Sequence, residues 1–125
     1  MSRILVLDDE RDAGVLIHRI LKGKGYEVFV FTEEEEAIAF AQVTSVDLAI
    51  LDIRLKRMSG VEVLAELKKI NREMHAIILT GFPTSETAKR AEELGADQYC
   101  LKPIEVDDLE QRVASILGAN LKEGS

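Results

Sequence analysis

The sequence is poor in cysteine, in long apolar runs and in net positive charge, and each shortage argues against a class of protein. The single cysteine, Cys100, cannot form a disulfide within the chain, which is typical of a protein in a reducing cytoplasm. No apolar run approaches the roughly 20 residues that cross a bilayer. No basic segment leads into an apolar stretch near the N-terminus, so we expect a cytoplasmic protein without a signal peptide or a membrane partner.

The charge balance bears on the partners of the chain. The formal net charge is -7 at pH 7, which argues against direct contact with nucleic acid or an anionic membrane, because both select for basic surfaces. Part of this acidity follows the predicted strands. The run from Glu33 to Glu36 is explained more simply as the solvated face of a helix.

Short apolar runs alternate with longer helical patterns along the chain. Predicted strands cover 3–7, 26–31, 47–51, 75–80 and 97–101, and predicted helices cover 10–22, 84–94 and 105–117, with two more starting near 33 and 60. Four of the runs are mostly apolar, as expected of parallel strands covered on both faces, whereas 26–31 is more mixed and fits an edge. Regular alternation predicts an α/β fold with a parallel sheet, right-handed crossovers and helices on both faces.

Two helix starts carry the spacing of a capping box. Thr32 stands three residues before Glu35, and Ser59 stands three residues before Glu62. In such a pair each side chain accepts a hydrogen bond from the other residue's backbone N–H. We therefore predict capping boxes at the second and third helices.

The length of the chain suits one domain. A chain of 125 residues leaves little room for a second core, and the five strand–helix units fill residues 1–118. The segment 119–125 is polar, and we expect a frayed tail that is a linker stub or a remnant of cloning. No helix-turn-helix, ATPase or cyclase segment follows Leu117, so the output, and whether the chain acts alone or within a longer protein, stays open.

Polar residues stand where the buried strands are predicted to end. Asp8 and Asp9 follow the first strand, Asp52 follows the third, Thr80 ends the fourth, and Lys102 follows the fifth. The C-terminal ends of parallel strands form one edge of a sheet, and ligands bind there. Either aspartate of the first pair, taken alone, would be explained as a helix cap. In combination, these residue types indicate a phosphoryl-transfer site built around a metal ion.

The chemistry of that site centres on Asp52. An ionised carboxylate can attack a phosphoryl group and form an acyl phosphate. Two further carboxylates oppose its ionisation, since like charges about 4 Å apart cost on the order of 4 kcal/mol at an effective dielectric near 20. Mg²⁺, often held by one or two carboxylates together with a phosphate, would remove this repulsion. Lys102 and Thr80 would then contact the phosphoryl oxygens.

These residues resemble the receiver domain of two-component response regulators over Ile4 to Leu117. The motifs that carry the resemblance are Asp8-Asp9-Glu10, Asp52, Gly60 eight residues later, Thr80-Gly81, Tyr99 and Lys102-Pro103. No single motif is specific, but all of them occur in order. The resemblance implies a flavodoxin-like strand order, 2-1-3-4-5. It also implies a signalling domain that catalyses only its own phosphorylation and dephosphorylation.

The resemblance further implies a role for each site residue. Asp52 would accept a phosphoryl group from a phosphohistidine on a sensor histidine kinase or phosphotransfer protein. Mg²⁺ would be bound by Asp9, Asp52 and the main-chain carbonyl of Arg54, with Asp8 acting through water. Lys102 would contact the phosphoryl group and precede Pro103 in a cis peptide bond. Thr80 and Tyr99 would form a switch that reshapes the 84–117 face for an output domain, a protein partner or a homodimer.

One loop departs from the common receiver pattern. Lys56 stands where receivers often carry proline, four residues after the acceptor position. The resemblance therefore leaves the shape of the 53–58 loop open. Arg54 and Phe82 occupy two positions that vary among receivers and tune the lifetime of the phosphate.

Two other functions fit part of this pattern. A haloacid dehalogenase-type hydrolase also uses an aspartate and Mg²⁺, but that family typically has a second aspartate two residues after its nucleophile, where this chain has Arg54. A receiver-like domain that serves only for docking would not need the acidic pair, the acceptor and the lysine together. We therefore favour the prediction of a phosphorylation-controlled switch.

Overall fold

A computed structural model describes residues 1–118 of the chain. The predicted tail, 119–125, lies outside the described residues. Five strands alternate with five helices: β1 (Arg3–Leu7), α1 (Arg11–Lys22), β2 (Glu27–Phe31), α2 (Glu34–Val43), β3 (Leu48–Leu51), α3 (Gly60–Ile70), β4 (His75–Thr80), α4 (Ser85–Glu93), β5 (Gln98–Leu101) and α5 (Val106–Leu117). The predicted elements are confirmed, with bounds that shift by one or two residues.

The sheet is parallel throughout, with the strand order β2-β1-β3-β4-β5, which confirms the predicted fold class and topology. The mixed strand β2 lies at an edge, as its composition indicated. The apolar strands β1, β3 and β4 lie inside the sheet, where both faces are covered. Side chains that alternate along these strands therefore enter two separate cores.

The two cores lie on opposite faces of the sheet. One contains Leu5, Ala49 and Ile78 together with buried residues of α2 and α3. The other contains Ile4, Ile50 and Ile77 together with buried residues of α1 and α5. The cores hold the strand ends in register. Within residues 1–118, no helix is long and apolar enough to cross a membrane.

The two predicted capping boxes have different outcomes. The box of Ser59 and Glu62 is present at the start of α3, with both reciprocal hydrogen bonds. The box of Thr32 and Glu35 is wrong, because α2 begins at Glu34 and its N-cap, Glu33, makes no side-chain cap hydrogen bond. The helix starts one residue too late for that spacing. The glutamates at its start contact residues 56–58 instead.

Candidate functional site

The predicted site residues lie together at the C-terminal edge of the sheet. Backbone hydrogen bonds continue the ladder just beyond the strands: Asp52 N–H donates to Leu7 O at 3.0 Å, and Lys102 N–H donates to Thr80 O at 2.9 Å. The strand ends are thus locked in register at the point where the polar residues begin. Neighbouring parallel strands consequently deliver their side chains to one place.

Three carboxylates form a cluster at this edge. Oxygens of Asp8, Asp9 and Asp52 all lie within 4.8 Å of one another. Asp8 and Asp52 are buried, and Asp9 is exposed. Burial raises the pKa of Asp8, and the charge of Asp52 adds to this rise, against hydrogen bonds from Lys102 and from Glu10 N–H. Carboxylates grouped in this way fit the oxygen ligands that Mg²⁺ prefers.

Lys102 bridges the two buried carboxylates. Its Nζ lies 2.6 Å from Asp8 Oδ2 and 2.9 Å from Asp52 Oδ2. Burial lowers the pKa of Lys102, but its hydrogen bonds and charge interactions with both aspartates outweigh this and raise the pKa above its ordinary value. Lys102 is therefore charged at neutral pH. The stability that its charge gives the fold is complete below the unfolded-state pKa of Lys102 and is lost only as the pH rises through the folded-state pKa. The peptide bond to Pro103 is cis.

An open cavity of about 420 Å³ lies in front of Asp52. It is lined by Asp9, Glu10, Asp52, Arg54, Gly81, Phe82 and Lys102. At its mouth the Arg54 guanidinium lies over the Phe82 ring, 4.2 Å from the ring centroid. The family resemblance marked both as positions that vary among receivers, but nothing in the sequence indicated that the two side chains would meet. The cavity leaves one side of the Asp52 carboxylate open to a small ligand.

Thr80 and Tyr99 make hydrogen bonds toward the start of α4. The Thr80 side chain is fully buried, and its Oγ1 accepts a hydrogen bond from Phe82 N–H at 3.1 Å. The Tyr99 hydroxyl lies 2.8 Å from Thr87 Oγ1. Thr87 in turn forms a capping box with Thr84, the N-cap of α4. Thr80 thus contacts the loop that leads into α4, and Tyr99 contacts the first turn of α4, through separate hydrogen bonds.

Sequence reasoning missed two residues near the site. Thr87 was not singled out, although Thr84 followed by Thr87 has the spacing of a capping box with threonine in place of glutamate. Glu34 was assigned to a solvated helix face, and that assignment is wrong because Glu34 is 1% exposed. No local pattern distinguishes Glu34 from the glutamates beside it, since its contacts lie more than 20 residues away.

Comparisons with known proteins agree with this geometry. The family model of the response regulator receiver domain matches residues 4–114. The transcriptional regulatory protein ZraR of Salmonella typhimurium is 31% identical over 122 residues, which cover 98% of this chain and 28% of that protein. This chain therefore spans only a part of that relative's length.

Two solved structures show the same fold. A CheY-like response regulator receiver domain protein from Methanospirillum hungatei superposes with a TM-score of 0.93 at 32% identity, over 98% of both chains. The response regulator protein TrrA from Thermotoga maritima, solved in complex with Mg²⁺-BeF, superposes with a TM-score of 0.83 at 33% identity, over 93% of this chain and 99% of that one. The family match spans most of the chain, and the strand order and these likenesses agree with it, so the chain belongs to the response regulator receiver domain family.

Proposed function

We propose that the chain is a phosphorylation-controlled switch in which Asp52 accepts a phosphoryl group from the phosphohistidine of a sensor histidine kinase or phosphotransfer protein. A carboxylate oxygen of Asp52 bonds to phosphorus as the bond from phosphorus to the histidine nitrogen breaks. The observation that carries this proposal is the buried Asp52 carboxylate, paired with Lys102 and open to a cavity beside two further carboxylates. Incubation with acetyl phosphate and Mg²⁺ tests it, with one added phosphoryl group expected by intact-mass spectrometry.

The family favours this function over the alternatives. Receiver domains are signalling domains, and none of the matching proteins named above is a hydrolase, so we propose no activity beyond self-phosphorylation and self-dephosphorylation. The partners are a phosphate donor on one side and an output domain, a protein partner or a second copy of the chain on the other. We place residues 1–118 in this receiver domain, and we propose that it acts in the cytoplasm.

The acidic cluster supports a Mg²⁺ site. Asp9, Asp52 and the main-chain carbonyl of Arg54 would hold the ion, with Asp8 contributing through water. When bound, the ion would offset the carboxylate repulsion and screen the incoming phosphoryl oxygens. TrrA, a relative of similar size, was solved in complex with Mg²⁺-BeF, which supports the assignment.

Lys102 and Thr80 would receive the oxygens of the phosphoryl group. Lys102 already lies 2.9 Å from Asp52 Oδ2, so its ammonium can pair with an oxygen added there. Thr80 can offer its hydroxyl proton to another oxygen once its side chain turns toward Asp52. These contacts would bind the developing charge and hold the product in one orientation.

Asp9→Asn should weaken Mg²⁺ binding by roughly tenfold or more, since even outer-shell changes at metal sites typically cost that much. The same change should stabilise the metal-free protein by less than about 1 kcal/mol, because Asp9 is exposed and its repulsion is screened. NMR shifts of backbone amides during a Mg²⁺ titration measure the affinity. Asp12→Asn, an exposed change in the first turn of α1, is the matched control. Equal affinity in wild type and the Asp9 variant would refute the assignment.

The switch should act through α4 and β5. A phosphoryl oxygen would draw the Thr80 hydroxyl toward Asp52, which shifts the 81–85 segment and opens space that Tyr99 can enter. Of the α4 side chains only Ala91 is buried, so this helix is lightly packed and its movement costs little free energy. A local charge change that biases a two-state element is what such a switch requires. The result would be a reshaped 84–117 face.

Thr80→Ala should leave ligand binding at Asp52 intact but weaken the structural response of α4 and β5. Beryllofluoride, a mimic of the phosphoryl group, should still bind with Mg²⁺, but the change in hydrogen exchange across 81–106 should be blunted because no hydroxyl couples the ligand to the loop. Thr80→Ser keeps the hydroxyl and is the matched control. If Tyr99 responds fully in the alanine variant, or if the wild-type changes are confined to 53–60, the proposed coupling is wrong.

A further inference from the structure

The loop after the phosphoacceptor is held by three consecutive glutamates at the start of α2. Glu34 Oε2 accepts hydrogen bonds from the backbone N–H groups of Arg57 at 2.5 Å and Met58 at 3.0 Å. On either side, the Lys56 ammonium lies 2.9 Å from Glu33, and the Arg57 guanidinium lies 3.1 Å from Glu35. Residues 33–35 thus all contact the 56–58 segment, and Glu34 is the one that binds its backbone.

The central contact differs from the other two in burial. Glu34 is 1% exposed, whereas Arg57 and Glu35 are exposed by 70% and 79% in their pair. Exposed ion pairs contribute little, but a buried carboxylate that accepts two backbone N–H bonds holds those groups strongly. Burial raises the pKa of Glu34, but hydrogen bonds from its own N–H and from Arg57 and Met58 outweigh this and lower the pKa. The group is therefore ionised at neutral pH.

The second carboxylate oxygen of Glu34 is itself unusual. Oε1 is buried, and within residues 1–118 it has no hydrogen-bond partner. An unpaired buried oxygen costs free energy, so its retention needs a compensating role. The two N–H bonds that Glu34 Oε2 accepts offset this cost, and Lys56 leaves the loop backbone without the restriction that a proline would impose. Without that restriction, the contacts of the 53–59 loop with the rest of the protein determine its shape.

The held segment is continuous with the acceptor. Asp52 and Arg54 precede residues 56–58 directly, and Arg54 N–H donates to Asp52 Oδ1 at 3.3 Å. At the far end of the loop, Gly60 N–H donates to Ile53 O at 2.8 Å. The loop is therefore closed on itself at its base and anchored to α2 at its tip. Movement of the tip would be transmitted to the Arg54 carbonyl.

We infer that Glu34 is a positioning residue for phosphorylation of Asp52, because its buried carboxylate fixes the loop that presents the Arg54 carbonyl and the acceptor. This inference rests on the proposed function. Apparent affinity scales with the fraction of molecules whose loop has the competent shape, so we expect Glu34→Gln to bind beryllofluoride with Mg²⁺ about tenfold more weakly. The KM for acetyl phosphate should rise more than kcat falls.

Two further variants make the test specific. Glu34→Asp keeps the negative charge at the start of α2 but withdraws the carboxylate by one methylene from the loop, so it should also weaken binding. Glu36→Gln changes the net charge by the same amount at an exposed neighbour in the first turn of α2 that takes no part in holding the loop, and it should bind as wild type does. Affinity is measured by NMR titration, and urea unfolding monitored by circular dichroism shows that each variant is folded. If Glu34→Gln is unfolded, the aspartate variant decides the outcome.

The outcomes separate the inference from the proposed function. Weaker binding in both Glu34 variants, with Glu36→Gln unchanged, supports the positioning role. Wild-type affinity in Glu34→Asp would overturn it, since the charge at the helix start would then be sufficient. Equal affinity of all three variants and the wild type would also overturn it while the proposed function stands. No binding by the wild type would overturn the proposed function, and the inference with it.

Discussion

Asp52→Asn should abolish phosphorylation by acetyl phosphate at this site. An asparagine amide cannot supply the ionised oxygen that bonds to phosphorus, and we expect Asp8 and Asp9 to serve the Mg²⁺ ion rather than to accept the phosphoryl group. The fold should persist, since asparagine keeps the shape of aspartate and its carbonyl oxygen can still accept a hydrogen bond from Lys102. Intact-mass spectra with and without acetyl phosphate and Mg²⁺ measure the effect.

A matched control variant tests the assignment of Asp52 as the phosphoacceptor. Asp107→Asn, an exposed aspartate in the first turn of α5, removes the same charge at a residue that does not line the cavity and should be phosphorylated as wild type is. The phosphate on wild type should be labile to base and to hydroxylamine, as an acyl phosphate is. Equal phosphorylation of the wild type and the Asp52 variant would show that another residue is the acceptor.

Gly60→Ala should destabilise the protein by about 2–3 kcal/mol, the upper part of the range for an overpacked site. A Cβ at residue 60 would lie 2.0 Å from the carbonyl oxygen of Asp52 and 2.8 Å from its carbonyl carbon. The obstacle is backbone, so the acceptor strand end or the start of α3 must move. An alanine in a helix ordinarily gains about 1 kcal/mol over glycine, and the clash should outweigh that gain.

The matched control for this change is Gly23→Ala. Gly23 has right-handed helical dihedrals, and a Cβ there would lie 3.4 Å from its nearest neighbours, so no strain is expected. Urea unfolding followed by far-UV circular dichroism measures both variants, since the chain has no tryptophan. If Gly60→Ala were as stable as wild type, the close packing of α3 on the acceptor carbonyl would be wrong. Acetyl phosphate should also modify the variant more slowly, because Asp52 is displaced.

The order of the elements and the composition of the sheet edge could be predicted from local patterns. A strand such as 3–7 is apolar at every inner position because both faces are covered, and its end is marked by Asp8. Parallel strands joined by right-handed crossovers can bring such ends to only one edge. The grouping of the three aspartates with Lys102 therefore followed from where each residue stands relative to its strand.

The partners of individual side chains depended on the tertiary structure. Tyr99 of β5 hydrogen-bonds to Thr87 of α4, and Arg54 lies over Phe82, across 12 and 28 residues of chain, because segments distant in sequence pack against each other. Glu34 is buried although its glutamate neighbours give no sign of it, because the 53–59 loop folds over the start of α2 and offers two free N–H groups. Strand ends are set by residues next to each other in sequence, so the sequence by itself determined the strands and their polar edge, while the strand order followed from the family resemblance. Contacts between distant segments depend on how those segments pack, so only the tertiary structure decided which charges and hydroxyls meet.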